Sequence, residues 1–291
     1  MNKTIKYPRR FKKMLLAAIV LIFIAFLTPA LLNWLIEKDG VWTPDYSKTE
    51  LGSILSKEKL TEVDYHTLFL QTGLGQPAVD ELLAATAKEE REKIFLQYQN
   101  DFFSSGKFVC KKIGIITYEE RNRDEEGKLI QEFNIPDLKD GDVFITKATH
   151  SLGWRHGHAA IVTDARRGET LEAIVLGHPS MIQSVDKWMT YPSFIHLRLK
   201  SDNEGIAEQA AALALEELYD LPYGLFTGIP AKAPKSIRKT QCSHLVWYPF
   251  YQMGYDIDSD GSWLVTPKDI AGSDHFEVIQ VYGVNPEEIW Q

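Results

Sequence analysis

The chain has 291 residues, of which 44% are hydrophobic and 25% are charged, so its composition is that of a globular protein and excludes wholesale disorder. With 40 acidic against 32 basic residues, the formal net charge is −8. Nucleic acid is therefore not expected as a partner, because binding to the phosphate backbone requires a basic surface. Two cysteines cannot build a disulfide framework, so each is judged by its own surroundings.

The N-terminus has the pattern of a membrane anchor. Residues 1–13 are basic and contain no acid, which predicts a cytoplasmic tip. Residues 14–36 carry no charge and would form a helix of about 35 Å, longer than the roughly 30 Å hydrocarbon core. We therefore predict a single-pass transmembrane helix and an extracytoplasmic body. Because Thr28-Pro29 interrupts the apolar run, a cleaved signal peptide and a secreted body remain the alternative.

The body divides into three predicted parts. Residues 37–56 are polar, contain Gly and Pro, and are expected to be a linker. Residues 57–106 show helical spacing and are expected to form a helical segment, a possible cap over a cleft. Residues 107–291 begin with short β-branched segments separated by turns and continue with two helices. This order predicts an α+β domain with a mainly antiparallel sheet.

Within this last part, a series of strands, one charged turn and two helices are expected. The strands are predicted at 108–117, 143–146, 158–163, 170–176, 194–199 and 277–282, the charged hairpin tip at 121–128, and the helices at 203–218 and 240–253.

Cys242 stands at the predicted start of the second of these helices, with Thr240 as the expected N-cap. The free N–H groups and the dipole of a helix N-terminus stabilise a thiolate. A thiolate is the form of cysteine that attacks carbonyl carbons. The sequence therefore predicts a nucleophile at Cys242, with an inert core cysteine as the alternative.

His158 opens one predicted strand, and Glu172 lies on the next. If the paired positions of the two strands sum to an even number, both side chains lie on one face and roughly diagonal to each other. That places a general base and a carboxylate that orients it within reach of each other. A surface histidine and a solvated glutamate are the alternative.

Together these residues resemble the NlpC-type cell-wall cysteine hydrolases of the papain-like fold. In that family a Cys-Ser-x-Leu-Val helix start supplies the nucleophile, and a Gly-His-x-x-Ile strand supplies the base. A Gly-Asp strand precedes the base, and a polar residue before an Ala orients it. The similar segments here are 141–144, 157–161, 171–173 and 242–246.

The order of these segments, with His before Glu and Glu before Cys, is similar to that of the circularly permuted branch. This branch contains the YiiX/YebB-like hydrolases and is related to lecithin:retinol acyltransferase-type enzymes. Segments 221–224 and 267–270 also fit it, and the resemblance covers about residues 138–283. His244 is a departure, because a Glu or a Gly is common at that position.

The resemblance implies a circularly permuted papain-like fold and a cysteine hydrolase that needs no cofactor. Cys242 would attack an amide or ester carbonyl, His158 would take its proton, and Glu172 would orient the imidazole. The Cys242 N–H and Tyr223 are expected to hold the oxyanion, and His244 is a further oxyanion or substrate-binding candidate. Cell-wall peptides are the expected substrate. A lipid acyl group is the alternative, for an acyl hydrolase or acyltransferase of the same fold.

Three other interpretations remain open at this stage. A zinc site could be built from His156, His158, Glu172 and His178. The domain could also keep the fold and be catalytically silent. Cys110 is interpreted as structural, although a Cys110–Cys242 disulfide is possible in an exported protein and would silence the enzyme.

Overall fold

The computed structural model describes residues 13, 14, 16, 28, 31, 32 and 35, followed by 41–104, 106–200, 205–227 and 236–290. The first twelve residues of the predicted tip and most of the predicted anchor lie outside the described residues. In the ranges that are described, no helix combines the length and apolar character needed to cross a membrane.

Two antiparallel sheets form the framework of the body. The small sheet contains β1 (Phe108–Lys112), β2 (Thr117–Asn122) and β4 (Thr149–Ser151), in the order β1-β2-β4. The large sheet has six strands in the order β7-β6-β5-β3-β8-β9. These strands are β3 (Val143–Thr146), β5 (His158–Asp164), β6 (Glu169–Glu172), β7 (Met181–Ser184), β8 (Phe194–Leu199) and β9 (Phe276–Tyr282).

The helices lie before and after these strands in the chain. They are α1 (Gly52–Leu55), α2 (Glu62–Thr72), α3 (Gln76–Ala85), α4 (Lys88–Phe102), α5 (Ile206–Leu218), α6 (Cys242–Gln252) and α7 (Pro267–Ala271), with a 3-10 helix at Val185–Thr190. Helices that are separate in sequence from antiparallel sheets confirm the predicted α+β class.

Strand β5 is central and is covered on both faces. Ala159 and Ile161 belong to the hydrophobic cluster that also contains α5 and α6. Ala160 and Val162 face the other side, in a cluster with Phe144 and other large side chains. A strand buried on both faces needs a continuous apolar run, which explains why this strand was visible in the sequence.

Helices α2, α3 and α4 pack against the edge strand β9, in a cluster that includes Ile279. The main-chain N–H of Val281 donates to the carbonyl of Gly73, and a Cβ at Gly73 would lie only 2.1 Å from the Val281 carbonyl oxygen. Strands β5 and β6 lie toward the opposite edge of the sheet. The expected cap over the cleft therefore needs correction, because this segment covers the β9 edge instead.

The segment expected to be a linker packs on the body over its described part. The Trp42 N–H donates to the Gly283 carbonyl oxygen, and the Tyr46 hydroxyl donates to the Leu70 carbonyl oxygen at 2.6 Å. Leu51 and Leu55 are buried. Residues 41–56 are thus part of the folded unit.

The hairpin between β1 and β2 differs from the sequence-based expectation. The strand predicted at 108–117 is interrupted by a turn at 113–116, and Arg121, expected in a charged tip, lies in β2. Its guanidinium is buried over the ring of Tyr191, 3.4 Å from the centroid, and is ion-paired with Glu119. At the turn, a Cβ on Gly114 would meet the Val175 side chain at 2.4 Å. The tip of this hairpin is therefore apolar.

Candidate active site

Cys242 is the first residue of α6 and is almost completely buried. The N-cap is Gln241, not the predicted Thr240, because the Gln241 side chain reaches back over the helix start. Its Oε1 accepts hydrogen bonds from the Ser243 N–H at 3.0 Å and the Ser243 hydroxyl at 2.9 Å. The Cys242 Sγ also lies 3.6 Å from this oxygen. The thiol is thus held where helix N–H groups and the helix dipole stabilise a negative charge.

His158 and Glu172 lie on the neighbouring strands β5 and β6. The register pairs Ile161 with Leu171 and Val162 with Thr170, so the paired positions have the even sum assumed above. The His158 Nε2 is 2.8 Å from the Glu172 Oε2, and Cys242 lies close enough to the imidazole to act on its pKa. Because Nε2 faces the carboxylate, Nδ1 is the nitrogen left for the thiol. The structure brings Cys242, His158 and Glu172 together.

The electrostatics of these groups favour a charged site. Burial lowers the pKa of His158, but hydrogen bonds to Cys242 and Glu172 outweigh burial and raise that pKa above its ordinary value. Burial also opposes ionisation of Glu172, yet Lys187 and His158 hold the pKa of this carboxyl well below its usual range. A buried carboxylate therefore supports a protonated imidazole beside the thiol.

Glu172 has three further partners that the sequence analysis missed. Lys187 donates to Oε2 at 2.5 Å, while the Trp188 indole N–H and the Thr170 hydroxyl each donate to Oε1 at 2.9 Å. The Trp188 ring also stacks on His158, with an interplanar angle of 11°. Both Lys187 and Trp188 lie on the 3-10 helix, an element that was not predicted. A buried carboxylate needs hydrogen-bond donors and a cation. In the sequence, this requirement of Glu172 was the only indication that residues such as Lys187 and Trp188 had to be nearby.

Tyr223 and His244, the two remaining predicted site residues, have different surroundings. The backbone of Tyr223 pairs with Thr240, two residues before the start of α6. Burial, and then the charge of a Cys242 thiolate, raise the pKa of the Tyr223 phenol, so this hydroxyl stays a hydrogen-bond donor. His244 is buried, with its Nδ1 at 3.2 Å from the Thr240 hydroxyl and its ring stacked on Tyr248. These contacts are typical of a structural histidine.

The histidines proposed for a zinc site are dispersed. His156 Nδ1 contacts the Gly157 carbonyl oxygen at 2.8 Å, its Nε2 lies 3.1 Å from the Ser151 hydroxyl, and His178 is exposed in a turn. In the described parts of the chain, the residues whose ligand atoms gather within 4.8 Å are instead three aspartates, namely Asp258, Asp260 and Asp269.

Cys110 lies in the small sheet, on a different element from Cys242. Its Sγ is 3.4 Å from His150 Nε2. Both cysteines keep their thiols, so the disulfide alternative is not formed.

A groove of about 800 Å³ lies next to the elements that carry His158 and Cys242. One wall contains Trp154 and His156, which precede His158, and the other contains Thr266 and Asp269. The second wall adjoins the catalytic helix, because the Val265 carbonyl accepts a hydrogen bond from the Ser243 hydroxyl at 2.6 Å. Ten of its sixteen lining residues carry polar or charged side chains, and apolar side chains such as Trp154, Ile289 and Trp290 complete the lining.

Comparison with known proteins gives a partial likeness of fold. No family model and no curated protein matches the chain. Among solved structures, a similar chain is the metalloprotein YiiX from Escherichia coli O157:H7, with 13% sequence identity and a TM-score of 0.39. The similar region covers 49% of this chain and 97% of that one.

Proposed function

We propose that the chain is a membrane-anchored, extracytoplasmic cysteine hydrolase of the circularly permuted papain-like type. The observation that carries this proposal is the line of contacts from Cys242 at a helix start, through His158, to the buried carboxylate of Glu172. A nucleophile, a base and a group that orients the base are the components that thiol acyl transfer needs.

The proposed reaction proceeds through an acyl-enzyme. His158 takes the Sγ proton, and the thiolate of Cys242 forms a bond to the carbonyl carbon of an amide or ester. The resulting oxyanion accepts hydrogen bonds from the Cys242 N–H and the Tyr223 hydroxyl. The imidazolium then gives its proton to the leaving nitrogen or oxygen as that bond breaks. Water, or another hydroxyl acceptor, gives its proton to His158 and attacks the thioester, which releases the acyl group and restores the thiolate–imidazolium pair.

Cell-wall peptides are the favoured substrate, because the neighbouring groove offers ten polar or charged side chains that can hydrogen-bond to peptide groups. A lipid acyl group is the second candidate, favoured by Leu225 and Phe226. These two residues are exposed and follow the proposed oxyanion residue Tyr223 closely in the chain. Turnover of a cell-wall peptide against that of a phospholipid by the same preparation distinguishes the two candidates.

The proposed nucleophile is tested by the rate of alkylation of each thiol. Iodoacetamide near neutral pH should label Cys242 faster than Cys110, and His158→Ala should slow the labelling of Cys242, because the imidazole no longer supports the thiolate. His150→Ala is the matched control, since His150 contacts Cys110 instead. Peptide mass mapping gives both rates. Equal rates at the two thiols, or an unchanged Cys242 rate in His158→Ala, would contradict the assignment.

A further inference from the structure

Two hairpin tips lie side by side at one end of the small sheet. Thr117 pairs with Ser151, so the turn at 113–116 is adjacent to the turn at 152–154. Both tips expose large apolar side chains, with Ile115 74%, Leu152 52% and Trp154 56% accessible. Leu176 is also exposed. It lies near the first tip, because Gly114 of that tip packs on the adjacent residue Val175. We call the set Ile115, Ile116, Leu152, Trp154 and Leu176 the apolar rim.

The charge around the apolar rim differs from that of the rest of the protein. Segments 111–118, 147–158 and 173–181 contain no Asp or Glu, although the whole chain carries −8. Lys111 and Lys112 are exposed directly before the first tip. The first tip thus has a positive border that complements an anionic partner, whereas Trp154 in the second tip shares its groove with both basic and acidic side chains, among them Lys268 and Glu287.

The N-terminal segment adjoins the apolar rim. A Cβ on Gly153, in the second tip, would lie 3.1 Å from the Cβ of Leu32. Leu32 belongs to the uncharged stretch 14–36 and stands four residues before its end. The outer end of a membrane-spanning helix lies at the lipid surface. With residues 14–36 as the membrane anchor of the proposed function, on which this inference rests, contact with Leu32 brings the second tip to that surface.

We propose that the apolar rim is a membrane-contact surface. Ile115, Leu152 and Trp154 enter the boundary between headgroups and acyl chains, where aromatic and aliphatic side chains bind favourably. Lys111 and Lys112 lie against anionic headgroups. The rim is at the end of the fold where the 152–157 segment leads into His158, so lipid contact turns the catalytic groove toward the membrane.

The proposal is tested on the full chain in bilayer nanodiscs of phosphatidylcholine and phosphatidylglycerol. A nitroxide is attached to Ile115→Cys or to Leu152→Cys in a background that also carries Cys110→Ser and Cys242→Ser. Val63→Cys is the control, because Val63 is 73% exposed on α2, away from the rim. At positions 115 and 152, oxygen, which is concentrated in the bilayer, should relax the nitroxide spin more strongly than a water-soluble nickel chelate does. At position 63 the order should be reversed.

A second measurement keeps both native cysteines. Quenching of tryptophan fluorescence by brominated phospholipid should be smaller in Trp154→Phe than in the unsubstituted chain, while Trp34 of the anchor segment contributes to both. Nickel accessibility at 115 and 152 as high as at 63 would overturn the proposal, as would identical quenching of the two chains. Protection of both positions from nickel and oxygen alike would also overturn it, because the rim would then be covered by protein.

Discussion

Lys187 and His158 both contact one oxygen of Glu172, the Oε2 atom, and this shared contact determines the charge of the site. A buried carboxylate alone would cost several kcal/mol of desolvation, which a cation at short range offsets. The same cation opposes a positive charge on the neighbouring imidazole. Glu172 and Lys187 therefore act on the pKa of His158 in opposite directions.

Replacement of the carboxylate tests the first of these effects. In Glu172→Gln the charge that raises the pKa of His158 is absent, so the imidazolium loses its proton at lower pH. Turnover should fall roughly tenfold to a thousandfold, and the alkaline limb of the pH–rate profile should move to lower pH. His178→Ala, in an exposed turn, is the control and should leave both unchanged. Loss of turnover in His178→Ala with normal turnover in Glu172→Gln would assign the orienting role to His178.

Replacement of the cation tests the opposite effect. In Lys187→Met a positive charge leaves the neighbourhood of His158, so the pKa of the imidazole should rise and the alkaline limb should move to higher pH. Lys187→Arg should keep the original profile because it keeps the charge. A purely structural role for Lys187 predicts a loss of stability with an unmoved limb, and that result would refute the electrostatic role.

At the scale of secondary-structure elements, Asp142 joins two neighbouring strands of the large sheet. It precedes β3, and its carboxylate accepts hydrogen bonds from His196 Nε2 and Arg198 Nε on β8, both at 2.8 Å. Burial raises the pKa of this carboxyl, but His196 and Arg198 outweigh burial and lower it to about 2. Asp142 thus stabilises the folded state at every pH above its ordinary pKa.

Asp142→Asn should lower the free energy of unfolding by about 3–5 kcal/mol, because it leaves Arg198 with one buried partner fewer. Urea denaturation at neutral pH measures this loss. The folded-state pKa is depressed, so the difference between the two proteins should shrink as the pH falls from the ordinary value near 3.9 toward about 2. Arg167→Gln removes an exposed ion pair with Asp164 and should change the free energy of unfolding far less, because solvent screens this pair. Equal losses in the two variants would contradict the buried network.

Elements whose own side chains determine their environment were predictable from the sequence. The strands at 143–146 and 194–199 were predicted with the observed bounds because both are continuous buried runs. The interruption of the strand at 108–117 and the burial of Arg121 were not, because they depend on packing against Val175 and Tyr191, which are distant in sequence. The same contrast between local patterns and distant contacts applies to the candidate site. Cys242, His158 and Glu172 were predicted from local patterns. Lys187 and Trp188 were missed because only tertiary contacts give them a role.

At the scale of the whole molecule, the distribution of charge predicts the topology. Six positive residues precede residue 14, and the body beyond them is acidic. The positive-inside rule then places the body outside the cytoplasm. A protease added to intact cells should digest the body and spare the N-terminal tip, whereas the same protease after lysis should digest both. A body that stays intact until lysis would contradict this orientation.

The two halves of the reactive pair come from parts of the chain that are far apart in sequence. His158 begins a strand in the middle of the chain, and Cys242 begins a helix near its end. Before these elements dock, Cys242 is an ordinary thiol with neither an imidazole nor a helix terminus to activate it. For the proposed hydrolase, activation of the thiol therefore accompanies tertiary folding.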